Sequence, residues 1–95
     1  MVQQYPVLAL KSTADINDEG YDLSKYAPPF LFQIEMGGTL VGVLQSRLDD
    51  TEWASLGALA SGLNLISILH PLQFVRVLET GGAGTSMPRM IARPL

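Results

Sequence analysis

The sequence predicts an all-β fold: a small β-sandwich or jelly roll of about seven short antiparallel strands over residues 30–95, preceded by an irregular N-terminal arm over residues 1–29. Three observations lead there. Apolar residues alternate with period two from Phe30 to Met36, turn-forming clusters recur at hairpin-like spacing, and 95 residues leave room for one domain only.

Taken in order, Val7 to Leu10 is a short apolar strand, and Lys11 to Pro29 reads as a polar loop closed by a proline pair. From Phe30 to Met36 the residues Phe30, Phe32, Ile34 and Met36 share one face, with Gln33 and Glu35 on the other, as in a half-buried strand. Gly37-Gly38 suits a two-residue hairpin turn, where positive φ is needed and glycine supplies it without strain. Thr39 to Arg47 would return as the next strand. Asp49-Asp50-Thr51 makes a turn, because short Asp side chains bond their own backbone. Trp53 to Leu59, Leu63 to Leu69 and Leu72 to Thr80 follow as strands, Gly81-Gly82-Ala83-Gly84 is a further turn, and Met87 to Ala92 closes the set.

A rival reading exists between Trp53 and His70, where Leu56, Leu59, Leu63, Ile66 and His70 fall at helical steps of three and four. Gly57 and Gly62 oppose it, each costing about 1 kcal/mol relative to Ala in a helix interior. Asn64 and the β-branched Ile66 and Ile68 oppose it too. The same region, Trp53 to Val75, has no Asp, Glu, Lys or Arg, but its glycines, serines, Asn64 and Pro71 argue against a membrane-spanning helix. The start of the chain lacks the basic n-region of a secretory signal.

Charged residues are 16% of the chain, against about 25% in an average globular protein, and hydrophobic residues are 47%. A domain this small buries only about 60–65% of its unfolded surface, so a chain so poor in charge cannot hide every apolar group alone. Leu63, Leu65 and Leu69 alternate with Ile66 and Ile68, and Leu72, Phe74 and Leu78 alternate with Val75 and Val77, which makes these strands apolar on both faces. An outer face must be covered, and a sister subunit is the expected cover. Ile66, Ile68, Leu72, Phe74 and Leu78 are the candidate interface residues. The formal net charge of −3, all of it within residues 1–38, argues against a nucleic-acid partner, which calls for a basic face.

Chemistry-bearing patterns are sparse. His70 is the one histidine, sits before Pro71 and has no serine-histidine-acid signature around it. Asp15, Asn17, Glu19 and Gly20 occupy the first, third, fifth and sixth places of a calcium loop, but the twelfth place is Tyr26 where a bidentate Glu is required. The segment therefore reads as a solvated acidic loop. Gly81 to Thr85 lacks the G-K-[ST] ending of a phosphate-binding loop. Glu35 and Glu52 are a carboxylate pair that any chain with nine acidic residues would offer. The expectation is a protein with no catalytic residues, no metal and no cofactor. Trp53, with Tyr21 and Tyr26, supplies an alternative as the stacking surface of a carbohydrate-binding sandwich.

The run GGTLVGVLQSRLDDTEWASLGAL followed by PLQFVRVLETGGAGTS, with Ser46, Asp49, Trp53, Val75, Arg76, Val77 and Gly81-Gly82, resembles small β-sandwich structural proteins of tailed bacteriophage particles. The resemblance spans about residues 30–92, through motifs that fibronectin-type and carbohydrate-binding domains share. It implies a non-enzymatic virion component of the capsid decoration, cement or head-fibre type. Such a protein is assembled in the host cytoplasm, self-associates as a homotrimer and binds the major capsid protein or another virion protein. On that reading Arg89 and Arg93 near the C-terminus are candidate contacts to the shell.

Overall fold

The computed structural model describes residues 5–49 and 51–95, so residues 1–4 of the expected arm and Asp50 of the expected Asp49-Asp50-Thr51 turn lie outside it. Nine strands and no helix occur among the described residues: β1 Val7–Ala9, β2 Ser12–Thr13, β3 Tyr21–Asp22, β4 Tyr26–Met36, β5 Val41–Arg47, β6 Ala54–Leu59, β7 Gly62–Ile68, β8 Phe74–Gly81 and β9 Ser86–Pro94. They form two sheets. The first runs β1-β9-β4-β7, the second β2-β8-β5-β6, with β3 also paired to β8. Ala54–Leu59 and Gly62–Ile68 are strands, so the helical rival fails.

β1 is antiparallel to β9, whereas β2 is parallel to β8, so the chain passes from one sheet to the other through Leu10 and Lys11 without reversing. β3 then returns antiparallel to β8. With β1 and β3 as the outer strands, the order is the double Greek key of a jelly roll, in which nearly every connection changes sheet. The β2–β3 connection stays beside β8, and β5–β6 is a true hairpin whose loop is tied by Thr51, which accepts from Leu48 N at 3.0 Å and donates to Leu48 O at 2.7 Å.

Two expectations need correction. Gly37-Gly38 does not close a hairpin between partner strands, because β4 pairs with β7 and β9 while β5 pairs with β6 and β8. The glycines form a corner between sheets, and it interlocks with the 82–85 corner: Gly37 N donates to Thr85 O at 2.7 Å and Thr39 N to Ala83 O at 2.9 Å. Nor is Lys11 to Pro29 all loop. It holds β2, β3 and the start of β4, and its Leu23 is fully buried. The proline pair sits inside β4 where the ladder to β9 skips from Ala27 to Phe30, the irregular position at which a central strand accommodates residues without an N–H.

Between the sheets lie Phe30, Phe32, Ile34 and Met36 of β4, Leu44 of β5, Val75 and Val77 of β8, and Met90 and Ala92 of β9, all with no exposed surface. Each large side chain so buried is worth about 1.5–3 kcal/mol. The period-two pattern that predicts β4 is thus the pattern that fills the core.

Candidate functional site

A sandwich has two outer faces, and this chain treats them differently. On the outside of the second sheet, Arg76 of β8 points away from the core between the inward Val75 and Val77, yet it is only 6% exposed. Its Nε donates to Gln45 Oε1 at 2.8 Å, and its Nη1 donates to Ile16 O at 2.7 Å and Asp18 O at 3.0 Å. Arg76 thus ties the acidic loop down over β8, ahead of the β3–β8 pairing. Trp53 lies 4.2 Å from the Arg76 guanidinium and 5.3 Å from that of Arg47, which in turn lies 4.7 Å from Phe74. Phe74, Arg47, Trp53 and Arg76 form a ladder of alternating rings and cations, an arrangement attractive because the ring face is negative. The Trp53 ring ends against Gly20, where a Cβ would stand 2.7 Å from Cη2. Burial pushes the Arg76 guanidinium below its ordinary pKa while the neighbouring Asp18 pulls it back up.

The acidic loop turns the carboxylates of Asp15 and Asp18 onto its own backbone. Asp15 Oδ1 accepts from Asn17 N at 2.9 Å and Asp18 Oδ1 from Gly20 N at 2.8 Å, the self-capping turns that Asp favours. No group of three His, Cys, Asp or Glu that could hold a metal ion occurs among the described residues. Adding EDTA is expected to leave the melting temperature unchanged, as differential scanning calorimetry would register. A fall of several degrees would mean that Asp15, Asp18, Glu19 or Asp22 holds a structural cation.

The outside of the first sheet is bare. Alternate residues that do not enter the core project from it: Val7, Leu31, Leu63, Leu65 and Met87 are 58%, 41%, 62%, 63% and 52% exposed, and Leu69, just past β7, is 77% exposed. The ladder aligns them in rows. Met87, Glu35 and Leu63 form one, Ala9, Arg89, Gln33 and Leu65 the next, and Val7, Ile91, Leu31 and Ser67 the third. Glu35, Arg89 and Arg93 are the charges on this face, and all three are exposed.

Comparison with protein-family models, with curated proteins and with solved structures finds no match to this chain.

The residues singled out in the sequence are distributed over both faces and the interior. Ile66 and Ile68 are half-buried and pack on the core, Leu72 belongs to it, Leu78 is 9% exposed, and Phe74 is half-buried under Arg47. Arg89 and Arg93 are exposed beside the apolar rows. His70 lines a cleft of about 480 Å³ with Arg47, Glu52 and Gln73, its Nδ1 turned to Pro71 O at 3.3 Å. Tyr21 and Tyr26 share a second cleft of about 300 Å³, which Trp53 does not line. No helix among the described residues is long and apolar enough to cross a membrane. Leu31 was overlooked in the sequence, although it has the parity of Gln33 and Glu35 and so had to face outward with them.

Proposed function

We propose that this chain is a non-enzymatic structural subunit that works by burying surface. In the setting the phage resemblance implies, it is a decoration or cement protein that self-associates and binds the shell of a tailed-phage particle. The observation that carries the reading is the bare face of the first sheet. Monomeric soluble proteins rarely leave contiguous apolar patches beyond a few hundred Å² uncovered, and larger ones mark interaction sites. Leu31, Leu63, Leu65, Leu69 and Met87 supply the apolar area of this face, with Gln33, Glu35 and Arg89 set among them on the two central strands and Arg93 toward the rim. The jelly roll is an architecture of capsid proteins, lectins and cupins alike, so the fold supports this reading by analogy and the exposed face supports it by chemistry.

Particles purified from the source on a density gradient are expected to contain this chain in fixed ratio to the major capsid protein. The purified chain should rebind particles stripped of it. The variant Arg93→Glu is expected to rebind about tenfold more weakly, a loss of about 1.4 kcal/mol. A chain that stays in the supernatant in every preparation overturns the proposal.

A further inference from the structure

We infer that the bare face is covered by the same face of a second copy, forming a two-fold dimer in which β4 of each chain lies over β9 of the other. The inference rests on the reading of the chain as an assembling subunit and names the partner.

The register of the first sheet supplies the argument. An isologous contact requires that wherever residue i meets j, j also meets i. A two-fold axis lying in the interface, parallel to the strands and between β4 and β9, turns each cross-strand pair over onto itself. Leu31 then covers Ile91 of the second copy, Gln33 covers Arg89, and Glu35 covers Met87, because these are the ladder partners within one chain. One step further out, β7 falls over β1, so the large Leu65 meets the small Ala9 and Ser67 meets Val7. Large side chains are opposed to small ones where the face is widest.

Charge fits the same arrangement. Glu35 is the acid of the face, and Arg89 stands one row away on the neighbouring strand. Glu35 of each copy, lying over Met87, stands diagonal to Arg89 of the other about 7 Å along the strand, a separation that two long side chains span. Arg93 remains at the rim, free for a shell contact. The extent fits too. The strands β4, β7 and β9, seven to eleven residues long and about 4.8 Å apart, with the three-residue β1 at the edge, give a flat footprint on the order of 400 Å², which side-chain relief enlarges toward the ~800 Å² that each side of a stable interface buries. The other face cannot serve equally, since the acidic loop, Trp53 and Arg47 already lie on it.

The test is the mass of the purified chain by native mass spectrometry and light scattering between 1 and 100 µM, with circular dichroism to establish folding. The wild type is expected at twice the chain mass. Leu31→Glu removes a buried leucine twice over and is expected to raise the dissociation constant at least about a hundredfold. Leu65→Glu is the second variant should the first not fold. Glu35→Arg and Arg89→Glu are each expected to weaken the dimer about tenfold, and the two together to restore it, while Leu48→Glu, exposed on the β5–β6 loop, changes nothing. A wild-type monomer, an undiminished dimer in Leu31→Glu, or charge exchange without rescue overturns the inference. A trimer also overturns it but keeps the assembly reading, which the particle-binding experiment judges separately.

Discussion

Gly82→Ala is expected to lower the melting temperature sharply. Gly82 has φ 79°, a conformation that costs an L-residue about 1–2 kcal/mol. The larger cost is steric. A Cβ there would stand 2.0 Å from Thr39 O, 2.6 Å from Thr39 C and 3.0 Å from Leu40 Cα, all backbone atoms that no rotamer can move aside. The corner would have to open, breaking the bonds from Thr39 N to Ala83 O at 2.9 Å and from Ala83 N to Thr39 Oγ1 at 3.0 Å. Each is worth about 1 kcal/mol, so the loss is on the order of 4 kcal/mol, out of about 5–15 for a whole domain. At about 4–8 °C per kcal/mol, the melting temperature should fall by about 16 °C or more. Gly62→Ala is the control. Gly62 also has positive φ, 98°, but a Cβ there meets nothing within 4 Å, so the substitution should cost only about 1–2 kcal/mol of backbone strain. Equal shifts for the two variants in thermal denaturation would show that the interlocked corners contribute nothing beyond glycine's backbone freedom.

Those corners mark the boundary of what can be read from sequence here. Strand positions were legible because each strand fills one side of a core, and filling it imposes a period of two: Phe30, Phe32, Ile34 and Met36 announce β4. Strand partnership was not. A glycine pair between two strands permits a hairpin, but β4 and β5 each take both neighbours from elsewhere in the chain, and only the ladders record that. The uncovered face was legible in outline, since β7 is apolar on both sides and one side had to remain outside. Which side is inside turns on Asn64. A polar residue of the same parity as Ile66 and Ile68 ordinarily marks the solvent face. Here Asn64 turns with them and closes the β6–β7 corner, its Nδ2 donating to Ala60 O at 2.8 Å and Ile34 O at 3.2 Å, while Ala60 N donates to its Oδ1 at 3.0 Å. Its polarity is spent on backbone, and that leaves Leu63 and Leu65 to the outside. The short β2 and β3 carried too few residues for any period to emerge.

Arg76 is where the dressed face gains its strength, and Arg76→Met should show how much. The substitution keeps an unbranched side chain of similar reach but removes every donor, so Ile16 O, Asp18 O and Gln45 Oε1 lose their partner and Trp53 loses its nearest cation. Hydrogen bonds to a charged group are worth about 1.5–3 kcal/mol, and a partly desolvated cation–ring contact about 1–2 kcal/mol. The two carbonyls regain water once the loop lifts, which offsets part of this. The expected net loss is about 3 kcal/mol, a fall in melting temperature of about 12–24 °C. Arg76→Lys keeps the charge without the planar fork that reaches Gln45 and the two carbonyls together, and it should recover less than half of the loss. The pattern of damage is as diagnostic as its size. Amide hydrogen exchange should quicken first in residues 15–20 and in β3, which the guanidinium holds against β8, while the core strand β4 keeps its protection until global unfolding. Exchange that rises uniformly over both sheets would mean that Arg76 contributes to the sandwich as a whole and does not pin the loop.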